Sequence, residues 1–195
     1  MRVSAVVLAA GMSRRMGANK LILTIGGKTV LEHILDGLRG YDTIVVTGHS
    51  PKEIMGILDR YDVKTVHNPD YVKGMTTSFQ RGLCEVDGDA AFMVLSDTFG
   101  FNQTLLNRML DAMDADPEAL LVSPMHMGRR GHPVLVKRPL FDEFLALGEG
   151  ETMKDVVNRH EAAHRYVDGD IWCVTDLDTP EDYEKAKKLW AETRG

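Results

Sequence analysis

An apolar run from Val3 to Ala9 breaks into Ala10-Gly11-Met12-Ser13-Arg14-Arg15-Met16-Gly17-Ala18-Asn19-Lys20, and a second apolar segment then leads to Gly26-Gly27. A strand that ends in a loop with two glycines, an arginine pair and a lysine has the make-up of a triphosphate cradle. Glycine lets backbone N–H groups close on phosphate oxygens, and the cations neutralise charge that the amides cannot. The competing reading is a glycine turn with exposed arginines.

The 195 residues suffice for one domain, 1–195, with a real core, and 44% hydrophobic with 27% charged residues is ordinary globular usage. A net charge of −6 supplies no basic field for nucleic acid or anionic lipid. An anionic ligand must therefore meet local cationic clusters, and the dense ones are Arg14/Arg15 and Arg129/Arg130. Cys84 and Cys173 form neither a disulfide framework nor a thiolate metal knuckle, which favours a reducing compartment. The start lacks the charge order of a signal peptide, and no apolar stretch reaches the ~20 residues of a membrane span. The expected location is cytoplasmic, with no nucleic-acid or membrane partner.

Short runs rich in Val, Ile or Leu alternate with helix-period segments. Strands are expected at 3–9, 43–47, 63–67, 90–96, 120–123 and 132–136, and helices at 29–39, 52–60, 76–84 and 103–115. Two short helices follow at 140–147 and 153–160, then a strand at 171–175 and a helix from Pro180 to about Trp190, capped by Asp178 or Thr179. Such alternation predicts an α/β fold of three layers, a doubly wound and mostly parallel sheet.

In open parallel sheets ligands sit beyond the carboxyl ends of the strands. The glycine-arginine loop follows the first strand, Gly48-His49 the second, Asn68 to Ser78 the third and Asp97 the fourth. Asp97 is a candidate ligand for Mg²⁺, which binds one or two carboxylates plus phosphate oxygens; the alternative is a helix cap near Asn102. Asp176 and Asp178 bracket Leu177 and could supply a second carboxylate, or merely cap the last helix.

Two patterns mislead. Gly27-Lys28-Thr29 imitates the end of a P-loop, but position 22 is Ile22 rather than glycine. His160-Glu161-Ala162-Ala163-His164 is a literal HExxH, which on a buried helix would hold zinc; Arg159 and Arg165 flank it, so solvated helix-end histidines are expected instead.

Leu8-Ala9-Ala10-Gly11-Met12-Ser13-Arg14-Arg15-Met16-Gly17, with Lys20 and Gly26-Gly27-Lys28, resembles the signature of the MobA-like nucleotidyltransferases, and among them the molybdenum cofactor cytidylyltransferases. Gly74-Met75-Thr76-Thr77-Ser78, Asp97, Gly131-His132-Pro133-Val134-Leu135 and Asp176-Leu177-Asp178-Thr179-Pro180-Glu181-Asp182 are similar to the family's later motifs. The resemblance implies the nucleotide-diphospho-sugar transferase-like fold and transfer of CMP from CTP to the phosphate of a pterin, with Mg²⁺ as cofactor. A molybdoenzyme or its chaperone is the implied protein partner.

By the same resemblance the nucleotide lies on Leu8, Ala9, Ala10, Gly11, Met12, Ser13, Arg14, Lys20, Gly74 and Ser78. Ala10, a glycine in GTP-using relatives, would narrow the base slot, and Ser78 would read the pyrimidine. Arg14, Arg15, Lys20 and Asp97 would carry catalysis, and Asp97 with Asp176 or Asp178 the metal. Phe99, Arg130 and His132 would face the acceptor. Ser96-Asp97-Thr98-Phe99 departs from the family's Gly-Asp-x-Pro and brings Phe99 toward the acceptor mouth. The alternatives are GTP as donor, a sugar-phosphate or phosphoalcohol acceptor, a non-catalytic nucleotide-binding chaperone or sensor, and a zinc hydrolase.

Overall fold

Val6 and Leu8 face one way from the first strand while Ala5, Val7 and Ala9 face the other, and all five are buried. A strand apolar on both faces requires a covering layer on each. The computed structural model, which describes residues 1–194, supplies both layers.

In chain order the elements are β1 (Val3–Ala9), β2 (Thr24–Ile25), β3 (Lys28–Thr29), α1 (Val30–Gly37), β4 (Asp42–Thr47), α2 (Lys52–Leu58), β5 (Lys64–His67), α3 (Met75–Leu83), β6 (Ala90–Leu95), α4 (Gln103–Ala115), β7 (Leu121–His126), β8 (Arg129–Arg130), β9 (Val134–Lys137), α5 (Phe141–Leu145), α6 (Met153–Arg159), β10 (His164–Asp168) and α7 (Pro180–Arg194). The main sheet runs β10-β7-β9-β6-β1-β4-β5, with β8 paired to β7. The pairs β1/β4, β1/β6, β4/β5 and β7/β10 are parallel, and β9 is antiparallel to both β6 and β7. The mixed but mostly parallel sheet fits the expected class.

Helices α1, α2, α4 and α7 bury their apolar faces on the side of Ala5, Val7 and Ala9. Helices α3, α5 and α6 cover Val6 and Leu8. Gly82 lets α3 press onto β1 and β4: a Cβ there would meet Val46 Cγ2 at 2.8 Å and overlap Val6 still more closely. Among the described residues no helix is long and apolar enough to cross a membrane.

The structure corrects several expectations. Residues 171–175 are not a strand. Ile171–Val174 form a 3₁₀ turn, with Asp170 Oδ1 accepting from Trp172 N at 3.0 Å and Trp172 driven into the core. The sheet edge they would have taken is filled by β10, which pairs with β7 from His164↔Leu121 to Asp168↔Met125. The HExxH run therefore straddles three elements: His160 caps α6, Glu161–Ala163 are 3₁₀ and His164 opens β10. His160 is half-exposed and meets Glu143 Oε1 at 2.7 Å, but His164 is buried rather than solvated. The last helix also runs past Trp190 to Arg194.

Phe99 is the clearest reversal. It is 0% exposed and lies against Trp172 (5.3 Å between centroids), His33 (5.8 Å) and Trp190 (5.9 Å, stacked), so it cannot face an acceptor. An aromatic ring beside the buried Trp172 and the partly buried Trp190 loses more by exposure than it gains at a cavity mouth. Removing that ring leaves a cavity that its neighbours cannot collapse, so Phe99→Ala should cost about 3–5 kcal/mol of folding free energy in denaturant titrations.

Candidate active site

The segment after β1 leaves the sheet and turns back at Ser13, whose φ of 47° is left-handed. Ser13 O accepts from Met16 N at 3.0 Å and Gly17 N at 3.2 Å, and Ser13 Oγ accepts from Lys20 N at 3.3 Å. One residue thus shapes the loop at both ends. Nothing lies within 4 Å of where a Gly11 Cβ would stand, so the backbone there opens onto empty space. Asn19 closes the loop by accepting from Leu21 N, which starts a 3₁₀ turn at Lys20.

That turn sends the Lys20 side chain inward, with only 11% of it exposed. Lys20 Nζ donates to Asp97 Oδ2 at 3.2 Å and Leu177 O at 3.1 Å, and lies 3.7 Å from Asp178 Oδ1. Arg15 meets Asp178 Oδ2 at 2.9 Å. Neither aspartate is a cap. Asn102 caps α4 through Leu105 N, and Thr179 pairs with Asp182 at the start of α7, which leaves Asp97 and Asp178 free to face the loop.

Together these groups line a cavity of about 430 Å³. Of the expected nucleotide residues, Leu8, Ala10, Gly11, Met12, Ser13, Arg14, Lys20, Gly74 and Ser78 border it, as do Arg15, Asp97 and Asp178. Ala9 does not, because its side chain belongs to the core under β1. Arg14 and Arg15 are both exposed. Ala10, Tyr71 and Gly48 crowd one end: a Cβ on Gly48 would meet Ala10 Cβ at 2.8 Å and Tyr71 Cβ at 2.6 Å. Ser78 is buried there, its Oγ accepting from Asn68 Nδ2 at 3.0 Å.

The sequence marked Asn68 to Ser78 as a segment at a strand's carboxyl end and Met75 as part of a family-like motif, but gave Asn68, Tyr71, Val72 and Met75 no role of their own. Asn68 directly follows β5, where the rule of strand carboxyl ends had placed its segment; Val72 and Met75 carry no chemical signature, only exposed apolar side chains beside the opening.

A second cavity of about 510 Å³ shares Gly74 and Met75 with the first and is lined by Arg130 and His132, among others. Burial lowers the His132 pKa while the Asp97 charge pulls it up, so the carboxylate of the first cavity is felt in the second. Asp176 borders neither cavity; its side chain faces a shallow groove with Arg129 and Ile171. Its pKa is raised by desolvation in that crowded rim and then by the charges of Asp97 and Asp178.

The three carboxylates repel one another even though Lys20 and Arg15 pair with two of them, a gathering of oxygen donors that suits a hard divalent cation. Among the described residues no three His, Cys, Asp or Glu side chains converge to hold a metal by themselves, so phosphate oxygens would have to complete the ligand set. The same finding leaves the HExxH run without a zinc site.

The model of the MobA-like NTP transferase domain matches residues 5–166, which takes in the glycine-arginine loop, Asp97 and the lining of the second cavity. The chain belongs to the MobA-like NTP transferase family. It is 27% identical to the molybdenum cofactor cytidylyltransferase of Escherichia coli K12, over 97% of this chain and 98% of that one. It is 23% identical to a probable molybdenum cofactor guanylyltransferase of Natranaerobius thermophilus, over 98% of each. The solved structure of Rv0371c from Mycobacterium tuberculosis H37Rv superposes with a TM-score of 0.80 at 26% identity, over 96% of this chain and 99% of that one.

Membership makes the protein a nucleotidyltransferase. In this transferase the glycine-arginine loop, the buried lysine and Asp97 converge from the ends of β1 and β6, which pair in register from Val3↔Ala90 to Leu8↔Leu95.

Burial pushes the His164 imidazole down to about 4, well below its ordinary 6.5. The unfolded chain therefore binds the extra proton first as pH falls. Stability from this residue is fully present above about pH 6.5 and is lost toward pH 4. Melting temperatures measured across that window should fall steeply in the natural protein and more gently in His164→Phe.

Proposed function

We propose that the enzyme transfers CMP from CTP to the phosphate of a pterin-type acceptor and releases pyrophosphate. The observation that carries this reading is the pair of joined cavities: one faces a phosphate-type loop with Lys20 and Asp97, and the other shares Gly74 and Met75 with it. A two-substrate transfer needs two sites that meet at the reacting atom.

The β- and γ-phosphates lie on the amides from Gly11 to Arg15, where the open space above Gly11 admits them. Arg14 and Arg15 offset charge at the exposed side, and Lys20 faces the α-phosphate from within. A phosphate oxygen of the acceptor attacks the α-phosphorus in line from the second cavity, and pyrophosphate leaves. Little covalent help is required; positioning and charge stabilisation supply most of the acceleration.

A divalent cation held by Asp97, with Asp178 as the nearer second carboxylate, would neutralise and align the phosphate oxygens. The chain's own part is to hold Asp97 oriented through Lys20, at 3.2 Å. The methyl of Ala10 and the ring of Tyr71 narrow the base end, and Ser78 with Asn68 offers hydrogen bonds to a pyrimidine edge. The guanylyltransferase relative keeps GTP as the second reading.

Pyrophosphate release measured with a divalent cation, a phosphorylated pterin and each nucleotide decides between them. CTP should exceed GTP by about tenfold or more in kcat/KM, and equal use of the two would overturn the donor assignment. Asp97→Asn and Lys20→Ala should each lower turnover by roughly 100-fold or more while circular dichroism shows the fold retained.

A further inference from the structure

The face of the sheet under α3, α5 and α6 is apolar through Leu121, Val136, Met93 and Val134, and then changes character. Ser123 and His164 take the next positions, both buried, with His164 Nε2 and Ser123 Oγ 2.8 Å apart. Tyr166 stacks on the imidazole at 4.5 Å, and Arg130 lies over Tyr166 at 5.2 Å, so the plane of His164 is held from behind. Glu161 Oε1 accepts from Tyr166 OH at 2.9 Å and from Arg130 Nη2 at 2.7 Å, which fixes that stack in turn.

A polar pair in a core layer is ordinary when every polar atom is satisfied. Here it is not: His164 Nδ1 is buried without a partner, and so is Nδ1 of His132, which lines the same cavity. Two imidazoles that line one cavity, each with a buried and unsatisfied nitrogen, call for a ligand that completes them. Both rings are held neutral by burial, His164 down to about 4, so each offers hydrogen bonds rather than charge. The walls include apolar Met93, Leu95, Val134 and Val157, while Lys73 and Lys154 stand exposed among the lining residues. Apolar walls, a neutral polar edge and cations toward solvent suit a flat uncharged nitrogen heterocycle with an anionic tail.

We infer that His164, positioned by Ser123, is a specificity-determining residue that hydrogen-bonds the ring edge of the acceptor's heterocycle beside His132. This inference rests on the proposed reading that the second cavity takes the acceptor. A site built to satisfy such atoms rejects a ligand that lacks the complementary groups, because its buried polar atoms are then left unpaired.

The test compares a phosphorylated pterin with a naphthylmethyl phosphate of similar size that has no ring nitrogen. The natural enzyme should prefer the pterin. His164→Phe, which keeps the ring volume, should raise the KM for the pterin by about 10–100-fold, leave the KM for CTP within about twofold and abolish the preference. Ser123→Ala should act in the same direction. A folded His164→Phe that keeps both the KM and the preference overturns the inference.

Should His164→Phe fail to fold, ¹⁵N-histidine spectra of the natural protein decide: the phosphorylated pterin should shift the His164 Nδ1 resonance, and binding without that shift overturns it. Pterin binding with the shift but without CMP transfer sinks the proposed function and leaves the recognition role standing. CMP transfer to the pterin with no response at His164 sinks the recognition role alone, and absence of any binding or transfer sinks both.

Discussion

One buried ammonium organises the end of the sheet where the strand carboxyl ends gather. Lys20 Nζ joins Asp97, the carbonyl of Leu177 and the edge of Asp178, and so ties the loop after β1 to the end of β6 and to the segment before α7. A desolvated cation without partners is costly, so each of those strands of chain must arrive for the others to be stable. The loop that would hold phosphates is therefore shaped before any nucleotide binds. Arg15, reaching Asp178 from the outside, fastens the same junction where it is solvated and its contribution is small.

The two faces of the sheet divide the work. On the side of α1, α2, α4 and α7 the core is closed by aromatic packing, with Phe99, Trp172 and Trp190 in mutual contact. On the other side α3 and α6 stand apart enough to leave the second cavity, bordered by residues from both. Phe99 serves the first purpose and so leaves the second cavity to Arg130, His132 and His164. With Ser96-Asp97-Thr98-Phe99 in place of the family's Gly-Asp-x-Pro, Asp97 reaches Lys20.

Much of the fold was legible because its strands obey a local rule. The runs at 3–9, 43–47 and 90–95 are buried on both faces, so their Val, Ile and Leu content alone announces them, and α1, α2, α3 and α4 carry one apolar stripe each. Position after a strand then located the loop at Gly11–Lys20 and Asp97, since a parallel sheet gathers those ends. The tail obeyed no such rule. His164–Asp168 is a strand of mixed polar composition whose side chains after His164 are only partly buried or exposed, and the apolar Ile171–Val174 is a turn. Edge pairing, not hydrophobicity, chose between them.

The sequence by itself therefore determined the class of fold, the phosphate-type loop and the carboxylate that faces it, because each depends on residues adjacent in the chain or on alternation along a strand. Only the tertiary structure decided the fate of isolated side chains. Phe99 went to the core because Trp172 and Trp190, far along the chain, offered it an apolar site. Asp178 became a partner of Arg15 and Lys20 because Thr179 took the capping role. His164 acquired its place at the second cavity through Ser123 on a neighbouring strand. Contacts across such distances depend on packing that no local pattern encodes.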